Sequence, residues 1–233
     1  MGDRPAEQLW RGMHDEVAPF PDGVEEVPEA ISGTAFFPGG LGLWLPEGGA
    51  PAPFPNGQIM VVGQDFNSKS SYEKALRCGT EVDISPTWRV LQEMLPASGV
   101  SLARCFFTNV YMGLRKEGRE TGRFPGTRDK NFVARCVKFF GRQLEVAQPK
   151  LILTLGVEPF QVLGTHLFHI PVPKTLTAAE DIYPVSLDYG DVTVVALTHP
   201  SFYRANVWRR KYGQLTGSAA ETAMIQDGLA RAF

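Results

Sequence analysis

The chain has few cysteines, no long apolar run and no surplus of charge of either sign, and each shortage closes off a class of protein. Cys78, Cys105 and Cys136 are its three cysteines, scattered without a C-x-x-C pair. That argues against a disulfide framework or a zinc ribbon and for buried, apolar-like thiols in a reducing compartment. No run is long enough to span a bilayer, and Met1-Gly-Asp-Arg-Pro leads to no apolar core of signal-peptide length, so the expectation is a cytoplasmic protein with no membrane partner. Formal net charge is −2 and the pI about 6.1. No global field recruits nucleic acid, and any such binding needs a local patch. Internal repeats and low-complexity tracts are also missing. What is present is 233 residues, 43% of them hydrophobic, enough for a single domain over 1–233 with one sizeable core.

Residues 1–35 read as an N-terminal wrap, with a short amphipathic helix over Pro5 to His14 and an acidic, proline-spaced stretch through Glu29. Phe36 to Pro55, rich in Gly and Pro, suggests an irregular hairpin. From Gln58 apolar runs alternate with helical periodicity, which is the signature of βα units on a parallel sheet. Strands are expected at Ile59 to Val62, Cys105 to Val110, Leu151 to Leu155 and Val192 to Leu197, the last fed by a hairpin near Asp188-Tyr-Gly190. Helices are expected near Ser70 to Arg77, from Ser85-Pro86-Thr87 with Ser85 as N-cap, through Phe132 to Leu144, from Glu158, and from about Ser218. The predicted fold is a three-layer α/β/α core over 58–233 around a mostly parallel, four-stranded sheet.

Three polar clusters sit where apolar strands run out. They are Gly63-Gln64-Asp65, Thr108-Asn109-Val110 and His199-Pro200-Ser201. In an open α/β sheet ligands bind outside the carboxyl ends of the strands, so Asp65, Asn109 and His199 are expected around one pocket. Each alone has a plain structural explanation: Asp65 and Asn109 as caps of the next helix and loop, His199 as a loop histidine. Together they supply complementary chemistry. A carboxylate stabilises a developing cation or orients water, an amide offers a donor and an acceptor, and an imidazole donates to a developing oxyanion.

In order and strand context these clusters resemble the motifs of the uracil-DNA glycosylase superfamily. Gly63-Gln64-Asp65 is similar to the start of its Gly-Gln-Asp-Pro-Tyr motif, Thr108-Asn109-Val110 to its strand-end Asn motif, and His199-Pro200-Ser201 to its late His-Pro-Ser motif. The resemblance implies hydrolysis of the N-glycosidic bond of uracil or another altered base flipped out of DNA. Asp65 would orient the water and stabilise an oxocarbenium-like sugar, and His199 would hydrogen-bond the carbonyl oxygen of the departing base. Asn109 would read the base edge, Gln64 would help hold the base, and Phe66 would stack on it. Phe66-Asn67 stands where the best-studied branch has Pro-Tyr, so the Tyr that would exclude thymine's methyl is missing. Phe202-Tyr203 replaces the expected Pro-Leu wedge with aromatics. The iron–sulfur branches look similar around Asn109, but three scattered cysteines cannot provide four thiolates, so no metal, cluster or other cofactor is expected.

DNA is the expected partner of a monomer. Its contacts are placed on the loop after His199, through Ser201, Phe202, Tyr203, Arg204, Arg209, Arg210 and Lys211, because cations interleaved with aromatics suit a phosphate backbone beside stacked bases. A second basic loop runs from Arg115-Lys116 to Arg128. Charge runs are also ordinary solvated faces, and two other functions stay open: a non-catalytic DNA- or base-binding module of the same fold, and a small-molecule hydrolase acting on nucleosides.

Overall fold

The computed structural model describes residues 5–46, 49–116, 122–178 and 181–233. Its centre is a five-stranded sheet built from β2 (Ile59–Gly63), β3 (Cys105–Asn109), β5 (Leu151–Leu155), β6 (Ile182–Leu187) and β7 (Gly190–Leu197), in the order β3-β2-β5-β7-β6. β3, β2, β5 and β7 are parallel to their neighbours, and β6 pairs antiparallel with β7. The expected count of four is thus corrected to five. The extra strand is the first arm of the hairpin at Asp188-Tyr-Gly190. Its Pro184 and its half-exposed pattern hide it in the sequence but suit an edge strand.

Side chains alternate across the sheet as the pleat requires. Met60, Val62, Phe106, Ile152, Val194 and Ala196 enter one cluster, beneath α1 (Pro5–Val17), α4 (Lys130–Ala147) and α5 (Val157–Leu163). Ile59, Val61, Phe107, Leu153, Val195 and Leu197 enter the other, beneath α2 (Lys69–Cys78), α3 (Pro86–Ala97) and α7 (Gly217–Ala232). The result is three layers. In the N-terminal segment, α1 places Ala6, Leu9, Met13 and Val17 in the core. Phe37 donates its N–H to Phe107 O at 3.0 Å and Phe107 donates to Gly42 O at 2.9 Å, so the 37–42 segment covers the outer edge of β3.

Register sets the site. Gly63 lies opposite Asn109, and Leu155 opposite Leu197, so the strands end in line. Between them and the helices run short connections. β1 (Val24–Glu25) pairs antiparallel with β4 (Leu114–Arg115), and the loop after β7 folds through α6 (Tyr203–Asn206) into the hairpin β8 (Lys211–Tyr212)–β9 (Leu215–Thr216). Ser68 caps α2, its Oγ accepting the Ser71 N–H at 3.2 Å. Ser85 occupies the N-cap position of α3 but makes no capping bond with its side chain, and it lines the cleft instead.

Candidate active site

A cleft of about 450 Å³ opens at the strand ends, lined by Gly63, Gln64, Asp65, Phe66, Asn67, Asn109 and His199 together with Phe36, Glu81, Arg115 and Phe202. The three strand-end residues therefore do meet, in a space of the size usual for a small ligand.

Asp65 sits in the turn after β2, its side chain only 6% exposed. Oδ1 accepts the Asn67 N–H at 2.9 Å and Arg115 Nε at 3.0 Å, and Oδ2 accepts Arg115 Nη2 at 2.8 Å. Arg115 is equally buried and ties the pair to the chain beyond: Nη2 donates to Gly122 O at 2.7 Å and Nη1 to Arg123 O at 3.2 Å. By sequence Arg115 belongs with the second basic loop, and the structure corrects that, because a guanidinium spent on a buried carboxylate is not offered to phosphate. Residues 117–121 of that loop lie outside the described residues. Two lone pairs of Asp65 Oδ1 are taken, whereas Oδ2 keeps one for a further donor.

Asn109 is buried at the end of β3, with Nδ2 donating to Phe37 O at 3.0 Å. Its second N–H and Oδ1 remain for a ligand. A Cβ on Gly63 would lie 2.4 Å from that Oδ1, so only glycine permits the amide to lie across the neighbouring strand end. The Phe36 ring abuts the same glycine, 3.7 Å from the hypothetical Cβ, and is held by Trp88 and Phe107 at centroid distances of 5.1 and 5.5 Å. Phe66 also lines the cleft, but its ring is wedged against Gly39 and edge-on to Tyr72 at 5.9 Å.

His199 follows β7 and is half-buried. Its Nδ1 accepts the Ser201 N–H at 3.2 Å, which fixes the tautomer with the proton on Nε2. Burial lowers its pKa, opposed by the charge of Asp65. The imidazole is neutral at pH 7 and still a donor. Gly156, beside His199, adopts φ +95°, a left-handed backbone conformation that favours glycine in the turn after β5. Ser201 shares a 3.0 Å hydroxyl–hydroxyl hydrogen bond with Thr87 at the start of α3.

At the cleft, two buried polar atoms lack partners among the described residues, Gln64 Nε2 and Asn67 Oδ1. An unmet buried donor or acceptor costs about 1–3 kcal/mol, so both are available to a polar ligand. Sequence reading missed Glu81, whose carboxyl is pushed up to about 7 by burial, against the Trp88 and Phe36 N–H donors at 3.0 and 3.1 Å. Glu158, on a second opening that shares Gln64 and His199, is likewise raised by burial. Nothing local marks either carboxyl in the sequence; for Glu81, a partner 45 residues away supplies part of the environment.

The loop after His199 divides. Arg204, Arg209 and Lys211 are exposed. Arg210 is 1% exposed, pairs with Glu221 at 3.1 Å and donates to Ala196 O at 2.7 Å and to Leu176 O. The expectation that Arg210 grips phosphate is therefore corrected: it anchors the loop to the core. Tyr203 packs against the α3-side cluster, and burial pushes its hydroxyl up to about 12. Phe202 is the exposed member of the Phe202-Tyr203 pair, 47% accessible and 5.9 Å from the His199 ring.

Among the described residues no group of His, Cys, Asp and Glu could hold a metal ion, and no helix is long and apolar enough to cross a membrane. A search of curated proteins finds no match. The sequence profile described as the Uracil DNA glycosylase superfamily matches residues 54–220, which span the sheet, all of the cleft lining except Phe36, and the loop after His199. The chain belongs to the uracil DNA glycosylase superfamily.

Proposed function

We propose that the protein hydrolyses the N-glycosidic bond of uracil or another altered base flipped out of DNA. The observation that carries this reading is the placement of His199, whose Nδ1 accepts the Ser201 N–H and whose ring lies in the same cleft as Asp65 and Asn109. As the bond from C1′ to the base nitrogen breaks, the electron pair leaves with the base, and negative charge builds on its carbonyl oxygen. A neutral donor held there stabilises that charge. The sugar is left cation-like. Asp65 faces it with the Oδ2 lone pair that Arg115 leaves open and aligns a water whose oxygen bonds to C1′, its proton passing to solvent or to the departing base. Asn109 meets the base edge with its remaining N–H and Oδ1, and the Phe36 ring beside Gly63 offers a stacking face in place of Phe66, whose ring is taken up by Gly39 and Tyr72. DNA is gripped by Arg204, Arg209 and Lys211, with Phe202 at the mouth.

The bidentate Asp65–Arg115 pair favours a second reading, a base-sensing module without hydrolysis, because the guanidinium offsets much of the carboxylate's charge. Incubation with oligonucleotides carrying uracil, hypoxanthine or xanthine, followed by alkali, separates the two. Strand scission at the altered base supports the glycosylase; tight binding with every strand intact supports the module. Neither binding nor scission leaves the nucleoside hydrolase.

A further inference from the structure

Three of the four large apolar side chains that stand exposed among the described residues, Phe202, Trp208 and Leu215, fall within one short segment. Trp208 is the most open, at 63%. It is not a loose side chain. Its Nε1–H donates to Ala205 O at 2.8 Å, and the Arg209 guanidinium lies over the ring, 4.9 Å from its centroid, while most of the residue stays accessible. Behind it the loop is anchored by Arg210 on Ala196 O and Glu221, and by Tyr212, whose hydroxyl donates to Asp227 Oδ2 at 2.8 Å.

An indole held rigid with a cation behind it is a platform for a second flat ring, since little ordering entropy remains to be surrendered. The surroundings say which kind of ring. From His199 to Gly217 there is no Asp or Glu, while Arg204, Arg209 and Lys211 are exposed. In a chain of net charge −2, this local positive rim complements a phosphate backbone, and bases stack on aromatics within such rims regardless of sequence. Trp208 lies six residues beyond Phe202, which lines the cleft. Helical turns of about 1.5–2 Å rise per residue put it at most about 12 Å on, roughly three stacked-base intervals of about 3.4 Å.

Resting on the glycosylase reading, we propose that Trp208, backed by Arg209, is a stacking platform for an unpaired nucleobase about two or three nucleotides from the one in the cleft. A paired base cannot offer its face to that ring, so single-stranded or locally opened DNA is the preferred substrate.

The test uses the full chain with two probes of equal length, an oligothymidylate and an abasic oligomer that keeps the phosphates and lacks the bases. Trp208→Ala should lose about tenfold in affinity for the oligothymidylate and nothing for the abasic oligomer, and oligothymidylate alone should quench the wild-type tryptophan emission. Arg209→Gln should weaken both probes and lower the log–log salt slope by about 0.7 for each phosphate no longer neutralised. Equal effects of Trp208→Ala on the two probes, or no effect, would overturn the platform. So would concentration-dependent self-association of the wild type that Trp208→Ala abolishes, which would make this face a protein interface. Uracil release from single strands keeps the readings apart. If wild type releases the base and Trp208→Ala changes neither KM nor binding, the platform alone fails; if no base is released but the base-dependent loss of affinity remains, the platform stands without the hydrolysis.

Discussion

Asp65 shows how much of a side chain's role is decided by what touches it. A lone strand-end carboxylate would be free to turn, whereas this one is locked by Arg115 and the Asn67 N–H. Asp65→Asn keeps the shape and removes the charge, and should slow base release about 10²- to 10³-fold with DNA affinity nearly unchanged, a comparison of single-turnover rates with anisotropy titrations. Glu81 gives a pH dependence of known sign. Its carboxyl is raised from 4.5 to about 7 by burial, so the stabilisation from the protonated group is complete below its ordinary value and is lost as pH climbs through 7. In Glu81→Gln, whose amide oxygen can accept the same two N–H groups, that loss disappears. The melting-temperature difference, variant minus wild type, should therefore widen from about pH 5 to 8, and a constant difference would contradict the assignment. Asp65, Asn109 and His199 were legible because each lies at or within two residues of the end of an apolar strand; Arg115, Glu81 and Phe36 were not, because their partners come from distant segments.

The strand ends and the loop after β7 act as units. Gly63 and Asn109 are register partners, and a methyl group 2.4 Å from Asn109 Oδ1 must push the amide aside. Gly63→Ala should therefore cost base release more than it costs folding, read as reduced turnover at a melting point close to that of wild type. In the other unit, neighbours in sequence have opposite fates. Arg209 closes a short helical turn and faces solvent, and Arg210 is extended and enters the core. Arg210→Gln leaves Glu221 buried without its cation and should destabilise by about 3–5 kcal/mol. Arg209→Gln should leave stability unchanged and reduce salt-dependent DNA binding. Thermal melting of the two variants side by side checks the pair, and equal melting points would contradict it. A run of three cations reads as one patch in the sequence, because only the backbone path settles which of them turns inward.

Sequence periodicity was enough to foresee the layered fold and its parallel strands, since buried strands and amphipathic helices announce themselves through continuous and 3.6-residue apolar patterns. It undercounted the sheet at β6, where an edge strand with a proline needs neither pattern. The convergence of Asp65, Asn109 and His199 on one cleft was foreseen, but not its electrostatics: the clamp on Asp65, the raised Glu81 and the lowered His199 arise only when the layers close. The most direct test is base release from a single-stranded oligonucleotide carrying one uracil, scored as alkali-labile sites for wild type, Asp65→Asn and His199→Ala. The wild type should convert the strand to an abasic product, and both variants should bind it while releasing base at least about 100-fold more slowly. Intact strands with the wild type across uracil, hypoxanthine and xanthine, or variants as fast as wild type, would contradict the assignment of this cleft to N-glycosidic hydrolysis.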